Sequence, residues 1–336
     1  MEKYLDILIQ GYKNYAAYLW KEVTFSVAPW YHNYFLWLLI VSLFFFILEW
    51  KVPWRAYQKH FRKDFWLDFF YMFFNFFLFS LIVYNAASDV VVNLFKDALA
   101  AMGIHNLLVV EVQKWSLWGH LLLGFVVRDF VQWWIHRLLH WSPRLWEFHK
   151  VHHSVEEMGF AAQLRYHWME NIIYRTLEYI PLALIGIGLR DFFIIHIFAL
   201  TVGHFNHANI SVSGRVTGGV IGFLIGLILI SSYQWATLTD IGVVLGSSAA
   251  GSILLGPYMK YIFNSPEMHI WHHAYDLPPD KPYGINFGLT LSIWDWIFKT
   301  AHMPHSGRDI RLGFPGIEEF PKTFVGQNLH GLSKRS

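Results

Sequence analysis

The sequence predicts an all-α fold, a polytopic helical bundle with about four to seven membrane segments. Three observations support this prediction. Of the 336 residues, 55% are hydrophobic and only 15% are charged, which is too apolar for the surface of an ordinary soluble domain. Long apolar segments recur along the chain, and about 20 such residues cross a bilayer core as a helix. Histidines at or beyond the ends of these segments recur at three- and four-residue spacing, which is typical of helices.

The N-terminal region, residues 1–32, is predicted to form an interfacial helix. Its apolar residues, among them Leu5, Leu8 and Tyr12, recur at helical spacing and alternate with charged residues. A secretory signal would instead combine a basic start with a short apolar core, so we expect no cleavable signal here.

Seven apolar segments are candidates for membrane spans: 35–48, 65–86, 115–135, 172–189, 192–202, 216–230 and 238–255. The first two, with their loops, form a region at 33–116, and the others belong to a region at 117–305. The last two are rich in Gly, Ala and Ser, which let membrane helices approach closely. We therefore predict an inserted hydrophobic hairpin at about residues 214–256, a candidate for an oligomer contact. The phenylalanine-rich residues 69–79 are expected to line an apolar lipid tunnel.

The loop between the first two spans indicates the orientation of the chain. Its five basic residues are Lys51, Arg55, Lys59, Arg62 and Lys63. Cytoplasmic loops of membrane proteins gather Lys and Arg, so we predict that this loop is cytoplasmic. Alternating the remaining spans places every histidine cluster, and the tail at 306–336, on the same side. The predicted fold is therefore a membrane bundle with a cytoplasmic, histidine-rich helical cap.

Net charge and cysteine content exclude several kinds of partner and cofactor. The net charge is +2 with histidine neutral, and there is no basic stripe of the kind that nucleic-acid binding needs. We expect no nucleic-acid partner. The chain has no cysteine, which excludes disulfides and thiolate-bound metals. Any metal must be held by histidine, carboxylate or water.

Four clusters hold ten of the nineteen histidines: His136, His140, His149, His152, His153, His204, His207, His269, His272 and His273. Two clusters read HxxHH, one HxxxH and one HxxH, and on a helix each spacing places the imidazoles on one face. Close imidazoles are costly to hold together unless a cation takes their lone pairs. Ten nitrogen ligands are too many for one ion and enough for two, which predicts a di-metal site in the cap.

Residues beside the histidine clusters support the prediction that the clusters lie on helices. Ser265 and Pro266 are typical of the N-cap and first position of a helix that would contain His269. Asp129 lies seven residues before His136 on the same helix face, where it is expected to hydrogen-bond a ligand imidazole. Lone histidines such as His196 are expected to be satisfied polar groups rather than ligands.

The order and spacing of the clusters resemble those of the membrane-bound fatty acid hydroxylase superfamily, which includes sterol desaturases. The matching motifs are HRLLH at 136–140, HKVHHS at 149–154, the histidine before Ala208-Asn209, and SPEMHIWHHA at 265–274. The resemblance covers roughly residues 117–304. It implies a cytoplasm-facing site of two iron ions, with zinc as a substitute in purified protein, that uses O₂ to attack an unactivated C–H bond of a bilayer lipid. The clustered histidines are then the metal ligands, His204 matching least clearly. Asp129 and His167 are then expected to support catalysis beside them.

The chain departs from the family pattern in one place. About forty residues, including the predicted hairpin, lie between the element at His207 and the last cluster. No cytochrome b5-like domain is recognisable, so we expect a separate electron donor, such as a cytochrome b5-like protein, a ferredoxin or a reductase.

The sequence thus predicts an O₂-dependent di-iron membrane oxidoreductase that hydroxylates or desaturates a lipid, and it leaves open both that choice and the identity of the lipid. The alternative is a non-oxidative zinc protein, such as a metal carrier, sensor or hydrolase, because imidazole also binds zinc. The position of the clusters at span ends argues against a carrier, and their number argues against a hydrolase. We expect a bacterial inner membrane rather than the endoplasmic reticulum, because the last residues contain no KDEL-type signal.

Overall fold

The structure, a computed structural model, describes residues 2–78, 94, 97–98, 100–103, 111–230 and 238–332. Within these residues it is helical and contains no β-strand, only two isolated β-bridges. The all-α prediction is confirmed. Parts of three predicted segments lie outside the described residues: 79–86 of the second span, 231–237 of the hairpin and 333–336 of the tail.

The α-helices of the described residues are, in chain order, α1 (Glu2–Val23), α2 (Tyr34–Lys51), α3 (Phe65–Phe73), α4 (Leu117–Trp141), α5 (Pro143–His153), α6 (Trp168–Leu184), α7 (Leu189–His207), α8 (Gly214–Ile230), α9 (Leu238–Ala250), α10 (Met259–Ile262), α11 (Pro266–His272), α12 (Ile293–Ile297) and α13 (Phe324–Leu329). A π-helical turn, Phe74–Leu78, continues α3, and another, Gly251–Leu255, continues α9.

Among the described residues, two helical stretches are long and apolar enough to cross a membrane, Tyr34–Lys51 and Thr239–Ile262, and Gly214–Leu227 is a shorter apolar helix. The first coincides with the predicted span 35–48, and the other two form the predicted hairpin. The predicted span 192–202 lies within α7, and the predicted spans 115–135 and 172–189 fall largely in α4 and α6, which begin at Leu117 and end at Leu184, respectively. How many helices cross the bilayer, and in which direction, stays a prediction.

The junction of α1 and α2 is held by a buried polar cluster. The side chain of Asn33 caps α2 by accepting a hydrogen bond from the backbone N–H of Leu36, and it donates to the backbone carbonyl of Glu22. The buried Glu22 carboxylate accepts from the backbone N–H of Phe35 at 2.8 Å. The end of α1 is therefore fixed to the start of α2. The interfacial location of α1 stays a prediction.

The histidine clusters lie near helix ends that converge. A single residue, Ser142, separates α4 from α5, and Pro143 occupies the first position of α5, where a missing N–H costs nothing. The side chain of Ser265 caps α11 by accepting from the backbone N–H of Met268 at 3.2 Å. This confirms the predicted helix start. Each of these helices presents its histidines within its last two turns.

The hairpin of α8 and α9 is packed through glycines. A Cβ added at Gly218 would lie 2.5 Å from the carbonyl oxygen of Gly251, and one at Gly222 would lie 2.1 Å from that of Ser247. Both distances are too short for a real side chain, so the two backbones touch only because these positions carry none. At Gly246, on the same hairpin, nothing lies within 4 Å of the added Cβ.

We expect Gly222→Val to separate α8 from α9 and to lower the free energy of unfolding by about 1–3 kcal/mol. Thermal unfolding of the protein in detergent measures the loss. Gly246→Val is the matched control, because its side chain enters open space. Equal unfolding temperatures for the two variants would show that the close helix contact does not contribute to stability.

Candidate metal centre

The structure brings nine of the ten predicted histidines together in two neighbouring groups. The first group is His136, His140, His149, His153 and His272, and the second is His152, His207, His269 and His273. In each group the candidate ligand nitrogens lie within 4.8 Å of one another. An ion with metal–nitrogen bonds of about 2.1 Å holds opposite ligands about 4.2 Å apart, so each group is close to the size that one ion requires.

Both HxxHH motifs are divided between the two groups. His149 and His153 belong to the first group, whereas His152, between them on α5, belongs to the second. On α11, His272 belongs to the first group and His269 to the second. Each helix therefore contributes to both groups, and two ions held there would be neighbours with a shared protein frame.

Backbone carbonyls fix the orientation of four imidazoles. Nδ1 of His136 lies 2.8 Å from the carbonyl oxygen of Phe287, and Nδ1 of His272 lies 2.8 Å from that of Ile285. Nδ1 of His152 contacts the carbonyl of Arg165, and Nδ1 of His207 that of Gly203. A carbonyl oxygen only accepts, so each Nδ1 carries the proton. The Nε2 atom of each neutral ring then presents a lone pair to the interior of its group.

The facing lone pairs are the direct indication that these residues fit metal ions. Nε2 of His152 lies 3.3 Å from Nε2 of His207, and neither atom has a proton to share. Nε2 of His272 is buried and has no hydrogen-bond partner among the described residues. Burial lowers the pKa of His152 to about 4 and the pKa of His207 well below its usual value, so protonation does not relieve the contact. A cation bound at each group would relieve the contact, because it would accept the facing lone pairs.

Donor chemistry restricts the kind of ion. Nine imidazole nitrogens and no thiolate suit iron, zinc, copper or nickel. Five donors in one group and four in the other exceed the three protein ligands of a typical catalytic zinc site. The arrangement fits two ions.

Glu170 is a residue of the site that sequence reasoning missed. Its carboxylate lies 2.8 Å from Nδ1 of His149 and is buried. Burial raises the pKa of Glu170 to about 8, so its ionised form depends on positive charge beside it. A carboxylate that holds the outer nitrogen of a ligand imidazole fixes the ring and strengthens it as a donor. The only sequence signal was its place at the third position of α6, where it also accepts from the backbone N–H of His167.

Asp129 does not contact an imidazole, which corrects the expected partner. It accepts hydrogen bonds from the backbone N–H groups of Thr290 and Leu291 and from the indole N–H of Trp294. These contacts anchor the segment that follows Phe287, whose carbonyl orients His136. Asp129 therefore supports the first group through the backbone of that segment.

His167 and His204 lie outside both groups. Nδ1 of His167 accepts from the backbone N–H of Met169 and so caps α6, while Nε2 donates to the carbonyl of Asn328 on α13. Nε2 of His204 lies 3.1 Å from Ser42 Oγ on α2, and its Nδ1 contacts the side chain of Gln163. Both ring nitrogens of each residue are already partnered. We therefore retain neither as a candidate ligand or catalytic group.

The contrast between His204 and His207, one turn apart on α7, is testable. We expect His204→Ala to keep the metal content of the unsubstituted protein and His207→Ala to lose about one ion per chain. Elemental analysis of the purified variants measures this, and size-exclusion chromatography reports their folding. An equal loss of metal in both variants would place His204 back among the ligands.

A cavity of about 620 Å³ opens onto both groups. Five of the histidines line it: His136, His149, His152, His207 and His269. Its walls come chiefly from α4, α6 and α7, and they include apolar residues such as Phe193 and Leu200. None of the lining residues comes from the described part of segment 69–79, so the expectation that this segment forms the tunnel was wrong. Phe77 of that segment packs instead against Tyr34 and Phe35 in the core beside α2.

Comparisons with known proteins agree with the geometry. Residues 121–224 match the model of the fatty acid hydroxylase family. Ornithine lipid hydroxylase OlsE of Rhizobium tropici is 25% identical over 222 residues, 66% of this chain and 53% of that protein. Very-long-chain aldehyde decarbonylase GL1-10 of Oryza sativa subsp. japonica is 40% identical over 67 residues, 20% of this chain and 22% of that protein. The chain thus spans about half, or less, of the relatives it matches. No solved structure matches.

Proposed function

Because the chain belongs to the fatty acid hydroxylase superfamily, we propose that it is a membrane-bound oxidoreductase that hydroxylates a lipid at the two-group histidine centre. The observation that carries the proposal is that the two largely buried imidazole groups border one cavity. The name of the R. tropici relative, a lipid hydroxylase, favours hydroxylation over desaturation.

The overall reaction that we propose balances with an external electron donor. One oxygen atom of O₂ enters a C–H bond of the lipid, and the other leaves as water with two electrons and two protons from the donor. Two iron ions, when bound, supply the redox chemistry that cleavage of an aliphatic C–H bond demands and that side-chain acid–base chemistry lacks. We propose a cytochrome b5-like protein, a ferredoxin or a reductase as the donor.

The residues of this chain would hold the two ions and orient the imidazoles that bind them. The carbonyls of Phe287, Ile285 and Arg165 keep the Nε2 atoms of their histidines directed into the groups. Glu170 does the same for His149. This preorganisation means that the ligands need not rearrange when an ion binds.

The cavity presents the substrate to one side of the centre. Only five of the nine histidines line it, and they come from both groups. A lipid chain in the cavity therefore lies alongside the space between the two groups, with apolar walls at Leu164, Phe193 and Leu200 that exclude water. We propose that the protein is a multi-pass protein of a bacterial inner membrane with this centre facing the cytoplasm.

Lipid profiling with isotopically labelled O₂ tests the proposal. Cells that express the protein are expected to contain lipids with one labelled oxygen atom, and cells that express His153→Ala are expected to lack them, because that substitution removes a ligand of the first group. An unchanged lipid profile with an intact donor system, together with tightly bound zinc, would instead support the zinc carrier, sensor or hydrolase.

A further inference from the structure

The carbonyls that orient the histidines of the second group are supported in different ways. Nδ1 of His207 donates to the carbonyl of Gly203, four residues earlier on α7, so the helix itself fixes this partner. Nδ1 of His152 donates at 3.1 Å to the carbonyl of Arg165, which lies between a 3₁₀ turn and the start of α6. Outside an α-helix, a carbonyl keeps its position through the other contacts of its residue. The orientation of His152 therefore depends on what holds Arg165.

A buried ion cluster, made of Arg62, Asp64, Asp68 and Arg165, holds the side chain of Arg165. Nη1 of Arg165 donates to Asp68 Oδ1 at 3.2 Å and to Asp64 Oδ2 at 2.9 Å. Arg62 pairs with the other carboxylate oxygen of Asp68. Arg165 is 1% exposed and Asp68 is 0% exposed. The two guanidinium groups and the two carboxylates balance, so the cluster is a closed unit that fixes Arg165 in place.

The loop before α3 also holds the backbone just upstream of Arg165. The carbonyl of Met158 accepts a hydrogen bond from Nε2 of Gln58 at 2.8 Å. A Cβ added at Gly159 would lie 2.7 Å from Nε of Arg62, so the arginine side chain packs directly on the backbone there. The ion cluster is thus one part of a packed support that connects this loop to the second histidine group.

We propose that Asp68 is a positioning residue for the second histidine group, because it fixes, through Arg165, the carbonyl that orients His152. Without the Asp68 carboxylate, Arg165 keeps Asp64 as its remaining partner in the cluster, and the carbonyl is held less firmly. Groups that orient a ligand imidazole commonly change metal affinity by about 10–100-fold. We expect the ion of the second group to bind about tenfold more weakly and the ion of the first group to be unaffected. The inference rests on the metal centre of the proposed function and not on the reaction assigned to it.

The first histidine group has a support of the same kind, and it supplies the matched control. The carboxylate of Asp295 accepts from the backbone N–H groups of Phe287 at 2.9 Å and Gly288 at 2.8 Å. The carbonyl of Phe287 orients His136 of that group. Asp295, like Asp68, is 0% exposed, so an Asp→Asn change replaces an equally buried carboxylate at each position. We expect Asp295→Asn to weaken the ion of the first group instead.

Zinc binding to the full-length protein in detergent tests the positioning role without turnover or a change of redox state. The substitutions are made in two backgrounds that each retain one ion: His272→Ala keeps the second group, and His207→Ala keeps the first. Asp68→Asn is combined with Arg62→Gln, because an unpaired buried charge would destabilise the fold. Competition with a chelator measures the zinc affinity. Asp64→Asn, at a half-buried position, tests the same support more mildly and guards against a double variant that does not fold.

The expected result is an exchange of effects between the two backgrounds. With His272→Ala, the double variant is expected to lower zinc affinity about tenfold, Asp64→Asn to lower it less, and Asp295→Asn to leave it unchanged. With His207→Ala, only Asp295→Asn is expected to lower it. A structural role in the fold as a whole would not produce this exchange.

Two results would overturn the positioning role. Equal losses of affinity in both backgrounds would show that the ion cluster stabilises the fold and positions neither group. Unchanged affinity with His272→Ala, in both the double variant and Asp64→Asn, would show that the cluster does not act on His152. The proposed reaction is tested separately: a selective loss of zinc affinity in a protein that never forms an oxygenated lipid would keep the positioning role and remove the hydroxylase.

Discussion

A His272→Ala variant is expected to form no hydroxylated lipid and to bind about one metal ion per chain instead of two. His272 is fixed by the carbonyl of Ile285 through Nδ1, and its Nε2 is buried without a hydrogen-bond partner among the described residues. The methyl group of alanine provides no donor and leaves a cavity where the imidazole stood. The measurements are elemental analysis and lipid product formation.

His60→Ala is the matched control for this substitution. His60 is exposed and lies outside both histidine groups, so the change from imidazole to methyl should leave both metal content and product unchanged. A His272→Ala protein with full metal content and normal turnover would show that the first group is not part of the metal centre.

Replacement of Glu170 by glutamine is expected to weaken metal binding by about 10–100-fold, with a matching fall in product formation. Glutamine keeps the size of the side chain and an oxygen that can accept from the backbone N–H of His167, so the start of α6 stays capped. It removes the negative charge that stabilises His149 as a donor. Competition with a metal chelator measures the affinity directly.

Two further measurements separate this positioning role from a role in folding. Glu170→Asp, which restores the charge, is expected to recover part of the affinity, whereas a purely structural role would make the shorter side chain worse than glutamine. The unfolding temperature in the presence of chelator should be nearly equal in the Gln variant and the unsubstituted protein. If Glu170→Gln binds metal as tightly as the unsubstituted protein, the charged contact with His149 does not contribute to metal binding.

The placement of each cluster's histidines on one side of its helix could be predicted because it follows from local geometry. Positions i, i+3 and i+4 share a helix face whatever surrounds the helix. The capping signal at Ser265 located the start of α11 for the same reason. The division of His149 and His152 between different groups could not be predicted, because it depends on how α5 packs against α4, α7 and α11.

The errors in the site share a single physical cause. Helical spacing gives the face of a residue but not the element that packs on that face. Asp129 faces the segment at Thr290 rather than an imidazole, and His204 turns towards Ser42 on α2, although His207, three residues later, joins the second group. The contact of Glu170 with His149 could not be predicted for the same reason, because the two residues lie on different helices.

The cavity beside the histidine groups shows the same limit at a larger scale. The most aromatic segment was expected to form it, yet the walls come from α4, α6 and α7, which carry charged and polar residues among apolar ones. The composition of one segment does not reveal where several helices leave space between them.

Metal analysis of protein purified anaerobically in mild detergent tests the central claim most directly. We expect about two iron ions per chain, one for each histidine group, and a ferrous signal that disappears when O₂ is admitted. One or two zinc ions per chain, with no iron even after growth in excess iron, would contradict the oxygenase and leave the histidine groups as a zinc site.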